Sequence, residues 1–93
     1  MLLKNKTVVI YGAAGHLGGS IATACSREGA RLFLTGRTLR PVEWLAQSLG
    51  CRADQVDALD EAAVERHADE VIKEVGRIDI SINAVSEIFR AIR

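Results

Sequence analysis

Residues 7–18 read TVVIYGAAGHLG, and this stretch decides the fold. Its first half, Thr7 to Tyr11, is a short run of mostly β-branched and apolar residues, the pattern of a parallel strand buried on both faces. Glycines follow at positions 12, 15 and 18. From His16 to Glu28 small and apolar residues predict a helix, and Gly29 suits its left-handed end. The apolar positions that recur at helical spacing are Leu17, Ile21, Ala24 and Cys25.

The alternation of strand and helix continues along the chain. Residues 31–35 predict a second strand closed by Gly36, so the first βαβ unit occupies about 30 residues, as such units do. Pro41 suits the first turn of a second helix, which Gly50 ends. Residues 51–57 are more polar and predict a weaker strand at a sheet edge.

The last third of the chain predicts a capped helix and another strand. Asp60 suits the helix cap and Gly76 its terminator. Residues 78–83 alternate and predict a fourth strand, and residues 86–93 predict the start of a further helix. The apolar stripe of the capped helix is Val64, Ala68, Val71, Ile72 and Val75.

Elements in this order predict an α/β fold over residues 1–93, a Rossmann-type parallel sheet with flanking helices. Right-handed crossovers give the strand order 3-2-1-4 most simply. That order places the polar third strand at one edge and the fourth strand at the other. The apolar alternation of the fourth strand suits a position with further cover, so the sheet is predicted to be incomplete.

Composition limits the classes of protein that fit. Ninety-three residues allow one small domain, and 48% hydrophobic with 26% charged residues argues against disorder. Lys+Arg and Asp+Glu balance at 12 each without a run of like charge, which disfavours nucleic acid and acidic membranes as partners. Cys25 and Cys51 lack metal-ligand spacing. With no signal peptide or bilayer-spanning stretch in the sequence, we expect a cytoplasmic protein that binds a small ligand.

The glycine loop predicts a phosphate cradle. Its pattern is GxxGxxG rather than the commoner GxGxxG, and no GK[ST] follows, which excludes a P-loop. Glycines let the backbone approach a pyrophosphate, while the next helix offers free N–H groups and about half a positive charge. His16, inside the loop, suits either phosphate contact or solvent exposure. His67 stands among charged residues and is predicted at the surface, whereas Tyr11 is predicted to pack in or beside the core.

Arg37 indicates which nucleotide would fit. A site for NAD usually carries Asp or Glu at the end of the second strand, where it accepts hydrogen bonds from the ribose hydroxyls. Here that place reads Gly36-Arg37, and an arginine would pair with a 2′-phosphate instead. The sequence therefore favours NADP(H) over NAD(H), with Arg40 as a second candidate partner or a solvated side chain.

In this order, the motifs resemble the short-chain dehydrogenase/reductase family across essentially the whole chain. The glycine loop looks like the variant of its extended and atypical branches, and residues 34–37, LTGR, look like the second strand of NADP-preferring members. Residues 57–60, DALD, resemble the acidic element after the third strand, and residues 79–85, DISINAV, the strand that ends in the NNAG motif. The chain departs from the family where Tyr11 replaces threonine, His16 replaces glycine and Ala84-Val85-Ser86 follows Asn83.

The resemblance implies positions for the cofactor. Asp57 and Ala58 would border adenine, while Asn83 and Ala84 would lie near the ribose and brace the sheet. The complete predicted cofactor-binding set is Gly12, Ala14, Gly15, His16, Leu17, Gly18, Arg37, Asp57, Ala58, Asn83 and Ala84.

The resemblance also implies chemistry that these 93 residues do not carry. Family members use a Tyr-xxx-Lys pair on a later helix, with the tyrosine as general acid or base. The one tyrosine here is Tyr11, and Gly15 stands four residues after it. We therefore expect the NADP(H)-binding N-terminal portion of an oxidoreductase, inactive alone. The alternatives are a non-catalytic dinucleotide-binding or sensor module and an assembly subunit whose exposed fourth-strand edge pairs with another chain, including another copy of itself.

Overall fold

The computed structural model describes residues 1–85 and contains a parallel sheet of four strands with helices on both faces. The predicted helix over residues 86–93 lies outside the described residues. In chain order the elements are β1 (Thr7–Tyr11), α1 (His16–Arg27), β2 (Arg31–Gly36), α2 (Leu39–Leu49), β3 (Arg52–Gln55), α3 (Glu61–Val75) and β4 (Ile80–Asn83).

The strand order is β3-β2-β1-β4, which confirms the predicted order 3-2-1-4. Each neighbouring pair is parallel, and β1 lies between β2 and β4. Val9 is in register with Phe33 on β2 and with Ser81 on β4. Because all strands run the same way, their carboxyl ends meet at one edge of the sheet.

The side chains of β1 alternate between two apolar clusters. Val8 and Ile10 pack with residues of β2, α1 and α2 on one face. Val9 and Tyr11 pack with Phe33 and α3 on the other. All five residues of β1 are buried, as the continuous apolar run predicted.

The helix ends follow the predicted signals. The Asp60 carboxylate accepts a hydrogen bond from Ala63 N at 3.2 Å and caps α3. Gly50 and Gly76 take left-handed conformations directly after α2 and α3. Pro41 lies in the first turn of α2, which begins two residues earlier than Pro41.

The buried faces of α1 and α3 differ from the predicted apolar stripes. In α1 the buried residues are Gly18 and Ala22, whereas Leu17 is 51% exposed, because close packing on the sheet admits small residues there. In α3 Val71 is buried, but Ile72 is 45% exposed. None of the helices within residues 1–85 is both long and apolar enough to cross a membrane.

Candidate functional site

A cleft of about 600 Å³ opens where the carboxyl ends of the four strands meet. Such an edge is the usual ligand site of open α/β sheets. Four segments form its walls, one after each strand. The lining residues are Gly12, Ala14, Gly15, His16 and Leu17 after β1, Gly36, Arg37, Thr38 and Pro41 after β2, Val56, Asp57, Ala58 and Leu59 after β3, and Ala84 and Val85 after β4.

Every residue of the predicted cofactor set except Gly18 and Asn83 lines this cleft. Gly18 lies beneath the loop, where a Cβ would collide with the Gly12 carbonyl oxygen and come within 2.8 Å of Ala13 Cα. It lets α1 pack closely on β1, as its place in the motif predicted. Asn83 is paired in the sheet with Tyr11, and its side-chain oxygen accepts a hydrogen bond from Val85 N at 3.2 Å.

The glycine loop needs a glycine where it leaves β1. Gly12 has a φ of +79°, and a Cβ there would lie 3.0 Å from Val85 Cγ2 and 3.1 Å from the Ala84 carbonyl carbon. The loop is tied to both neighbouring strands, since Ala13 N donates to Thr35 O and Ala84 N donates to Tyr11 O, each at 2.8 Å. Its backbone is therefore held at a fixed place beside the cleft.

The N-terminus of α1 faces the cleft and carries no negatively charged side chain. Gly15 is the N-cap, no side chain caps the helix, and its first turn holds no acidic residue. In contrast, α3 has the Asp60 cap and Glu61 in its first turn. The first N–H groups of α1 and the positive end of its dipole thus favour an anion in the cleft. His16 is exposed beside them.

Arg37 stands at the turn that follows β2. The turn is tight, because a Cβ on Gly36 would lie 3.3 Å from both Thr38 O and Val42 Cβ. The Gln55 side-chain amide donates to Arg37 O at 3.0 Å and fixes the backbone. The guanidinium is exposed at the cleft, and no carboxylate within residues 1–85 forms an ion pair with it.

The turn after β3 forms another wall. Val56 N donates to Gly36 O at 3.0 Å, which keeps this wall beside the turn that carries Arg37. The Asp57 carboxylate accepts a hydrogen bond from Leu59 N at 3.0 Å, and its carbonyl accepts one from Asp60 N. Ala58 is half-buried between them.

His67 is buried, so the prediction that it lies at the surface is wrong. Only 4% of its surface is exposed. Its Nδ1 lies 3.1 Å from the Tyr11 hydroxyl, and its Nε2 lies 3.2 Å from Asp54 Oδ2. The charged neighbours of His67 along α3 suggested a solvent-facing position. Its partners, however, are Tyr11 on β1 and Asp54 on β3. Tyr11 is buried, as predicted, and burial raises the pKa of its phenol.

Six lining residues were missed by the sequence reasoning: Gly36, Thr38, Pro41, Val56, Leu59 and Val85. All of them except Pro41 stand within three residues of a strand end or beside a predicted site residue. The rule that ligands bind at the carboxyl ends of parallel strands would have found several of them.

Comparison with known proteins adds sequence relationships to this geometry. A family model described as Enoyl-(Acyl carrier protein) reductase matches residues 12–90. D-threitol dehydrogenase of Mycolicibacterium smegmatis is 37% identical over 87 residues, which cover 88% of this chain and 34% of that enzyme. The chain spans about a third of the length of the curated relatives it matches first.

Solved structures share the fold. A Brucella melitensis protein described as short-chain dehydrogenase/reductase SDR:Glucose/ribitol dehydrogenase is 28% identical with a TM-score of 0.81, over 87% of this chain and 36% of that one. The 3-ketoacyl-(acyl-carrier-protein) reductase of the same organism, solved with NADH, has a TM-score of 0.76 at 24% identity, over 84% of this chain and 33% of that one. With the family match over residues 12–90, these likenesses lead to one conclusion. The chain belongs to the short-chain dehydrogenase/reductase family.

Proposed function

We propose that this chain binds NADP(H) and supplies the cofactor-binding portion of a short-chain dehydrogenase/reductase-like oxidoreductase. One observation carries the proposal: the glycine loop, Arg37 and the Asp57-Ala58 turn line the same cleft at the carboxyl edge of the sheet. A glycine loop alone would support only phosphate binding. Its convergence with an exposed arginine and a third wall supports a dinucleotide that carries a 2′-phosphate.

The proposal gives each wall a part of the cofactor. The glycine loop and the N-terminus of α1 hold the pyrophosphate, because they offer backbone N–H groups and a positive dipole. Arg37 pairs with the 2′-phosphate, and Asp57 with Ala58 borders the adenine. Ala84 lies near the ribose, while the Asn83 side chain supports the turn that presents it.

A bound nicotinamide would supply or accept a hydride, and the residues of this chain would bind and orient it. The general acid or base that family members use, the Tyr-xxx-Lys pair, does not occur in these 93 residues. We therefore propose that the chain alone binds cofactor without turning over a carbonyl or alcohol substrate.

Titration of the chain with NADPH and NADH tests the assignment of Arg37. We expect NADPH to bind more tightly, because charge-assisted hydrogen bonds to a phosphate contribute about 1.5–3 kcal/mol, which corresponds to about 10- to 150-fold in affinity. Arg37→Ala should remove this preference and leave NADH affinity nearly unchanged. Arg40→Ala separates the two candidate arginines: because Arg40 is exposed on the neighbouring helix outside the cleft lining, we expect this variant to keep the preference for NADPH.

Two results would contradict the proposal. Equal affinity of the unmodified chain for NADPH and NADH would remove Arg37 from the cofactor assignment. Failure to bind either nucleotide, with the fold intact by circular dichroism, would remove the dinucleotide site itself.

A further inference from the structure

Three side chains form a hydrogen-bonded chain on the α3 face of the sheet. The Tyr11 hydroxyl lies 3.1 Å from His67 Nδ1, and His67 Nε2 lies 3.2 Å from Asp54 Oδ2. Tyr11 is 3% exposed and His67 4% exposed. Their rings also pack edge to face, with centroids 5.6 Å apart. Neither the pyrophosphate cradle nor the Arg37 turn uses these groups.

The chemistry of the three groups sets the direction of both hydrogen bonds. An ionised carboxylate only accepts, so when the His67 ring is neutral its hydrogen lies on Nε2 and its Nδ1 accepts. The Tyr11 hydroxyl therefore donates to Nδ1, and burial raises the pKa of this phenol. Arg52 Nε lies 3.3 Å from the same oxygen, Asp54 Oδ2, and forms an ion pair with the carboxylate.

These hydrogen-bonded side chains join two strands that are not neighbours. Tyr11 is the last residue of β1 and Asp54 lies in β3, while β2 runs between them. Tyr11 is followed directly by Gly12, and Asp54 precedes Val56 by two residues. Both following segments line the cleft, on walls formed after different strands. His67 thus connects the two walls from below.

We propose that His67 is a positioning residue for the cofactor cleft: through Tyr11 and Asp54 it fixes the separation of the glycine-loop wall and the Asp57 wall. The predicted effect on nucleotide affinity rests on the proposed function. The fixing of the two walls does not require a bound nucleotide.

Tight packing transmits a shift of Tyr11 directly into the cleft. Tyr11 O accepts the hydrogen bond of Ala84 N at 2.8 Å, and a Cβ on Gly12 would lie only 3.0–3.2 Å from atoms of Ala84 and Val85. Closely packed interiors pass on small displacements rather than absorbing them. A change in the hydrogen bond at Tyr11 therefore reaches the loop backbone and the residue after β4.

Three variants separate positioning from general stability. Tyr11→Phe removes one hydroxyl and keeps the ring, and His67→Leu removes both hydrogen bonds. Val71→Ala is the matched control, because Val71 is 2% exposed on the same helix and packs in the same apolar cluster without a side-chain hydrogen bond. His67→Asn tests rescue, since its side-chain oxygen can accept from Tyr11 at about the place of Nδ1.

The first measurement needs no nucleotide. We expect ¹⁵N NMR of the 93-residue chain to show neutral His67 protonated at Nε2. We expect His67→Leu to shift the backbone amide signals of both walls, residues 12–14 and 56–58, and Tyr11→Phe to shift mainly the first. In Val71→Ala the amide signals of both walls should differ less from those of the unmodified chain than they do in His67→Leu.

The second measurement is NADPH affinity at a temperature where circular dichroism shows every variant folded. Tyr11→Phe should raise the Kd by about 3- to 10-fold, the range expected for loss of one buried hydrogen bond. His67→Leu should raise the Kd at least as much, and His67→Asn should recover part of the affinity that His67→Leu loses. Val71→Ala should leave the Kd within about twofold.

The positioning role would be overturned if the backbone amide signals of the two walls shift no more in His67→Leu than in Val71→Ala. A neutral His67 ring protonated at Nδ1 would also overturn it. An equal rise in Kd for Val71→Ala would also overturn it, since general loosening would then explain the effect. If the unmodified chain binds neither NADPH nor NADH, the proposed function fails, while the amide measurement still decides the role of His67.

Discussion

Two glycines of one sequence motif have different surroundings at the residue scale. A Cβ at Gly18 would collide with the Gly12 carbonyl oxygen and lie 2.8 Å from Ala13 Cα, all backbone atoms that cannot turn away. A Cβ at Gly15 would meet its nearest atom at 3.7 Å, an ordinary contact. The motif repeats one residue type for two reasons: Gly18 serves packing, while Gly15 leaves the approach to the cleft open.

Gly18→Ala should therefore push α1 away from β1. We expect the free energy of unfolding to fall by about 1–3 kcal/mol, the usual cost of overpacking. Gly15→Ala, the control in the same motif, should cost less than about 1 kcal/mol, because only an N-cap preference is lost. Urea unfolding followed by circular dichroism measures both values. Equal losses in the two variants would contradict this reading of the loop.

Asp79 joins the start of β1 to the start of β4. Its carboxylate accepts a hydrogen bond from Thr7 N at 2.7 Å and also binds Arg77. The Arg77 guanidinium, followed by the Thr7 N–H, lowers the pKa of Asp79 below its ordinary value. A lowered folded-state pKa stabilises the fold above the unfolded-state pKa, and this contribution is lost as pH falls through the folded-state value.

We expect the chain to lose part of its stability below about pH 4, the ordinary range of an aspartate. Asp79→Asn should be less stable at pH 7 than the unmodified chain, and the difference should shrink as the pH falls below 4. Asp69→Asn, at an exposed position on α3, should show no such convergence. Thermal unfolding from pH 2.5 to 7 provides the comparison. A constant difference for Asp79→Asn across this range would argue against a charged role.

At the scale of the element, two helices begin differently. The Asp60 side chain caps α3, whereas Thr38 at the start of α2 makes no capping hydrogen bond with its side chain. Asp60→Ala should lower the free energy of unfolding by about 0.5–2 kcal/mol. Thr38→Ala should change it by less than about 0.5 kcal/mol. Denaturant titration of both variants tests this, and a cost at Thr38 equal to that at Asp60 would contradict it.

Elements with local signals were predictable from the sequence. Gly50 and Gly76 end their helices in left-handed conformations, and Asp60 begins α3, because caps depend on residues within one turn. Which residues of α3 are buried depends on contacts with residues far away in the sequence. His67 is buried because Tyr11 and Asp54 supply partners from other strands, which no window of sequence around residue 67 contains.

For the whole molecule, the strand order was predictable because right-handed crossovers leave few arrangements. Most of the candidate site was also predictable, since glycines and charged residues stand out at the strand ends. Apolar lining residues such as Val56 and Val85 do not stand out, because their type is the same as that of core residues. Their part in the cleft depends on the sheet geometry that brings four strand ends together.

β4 has one neighbouring strand, β1, within the described residues, and Ile80 on it is 36% exposed. An open edge with apolar side chains favours pairing with another chain. We expect the chain to self-associate as its concentration rises, and Ile80→Lys to reduce this association. Sedimentation velocity over a range of concentrations measures it.

Ile72→Lys is the control, because Ile72 is exposed on a helix instead of the sheet edge. If Ile72→Lys restores the monomer and Ile80→Lys does not, the helix surface drives association. A monomer at every concentration would contradict the prediction itself.

The contact between Thr7 and Asp79 also has a consequence for the order of folding. It joins residues 72 positions apart, while β1 meets β2 across a single helix. Closing long loops slows folding, so the first βαβ unit should assemble early and β4 should dock late. During synthesis on the ribosome, the edge of β1 that pairs with β4 would stay unpaired until residue 79 has been synthesised. During that interval the apolar surface of β1 would be accessible to chaperones.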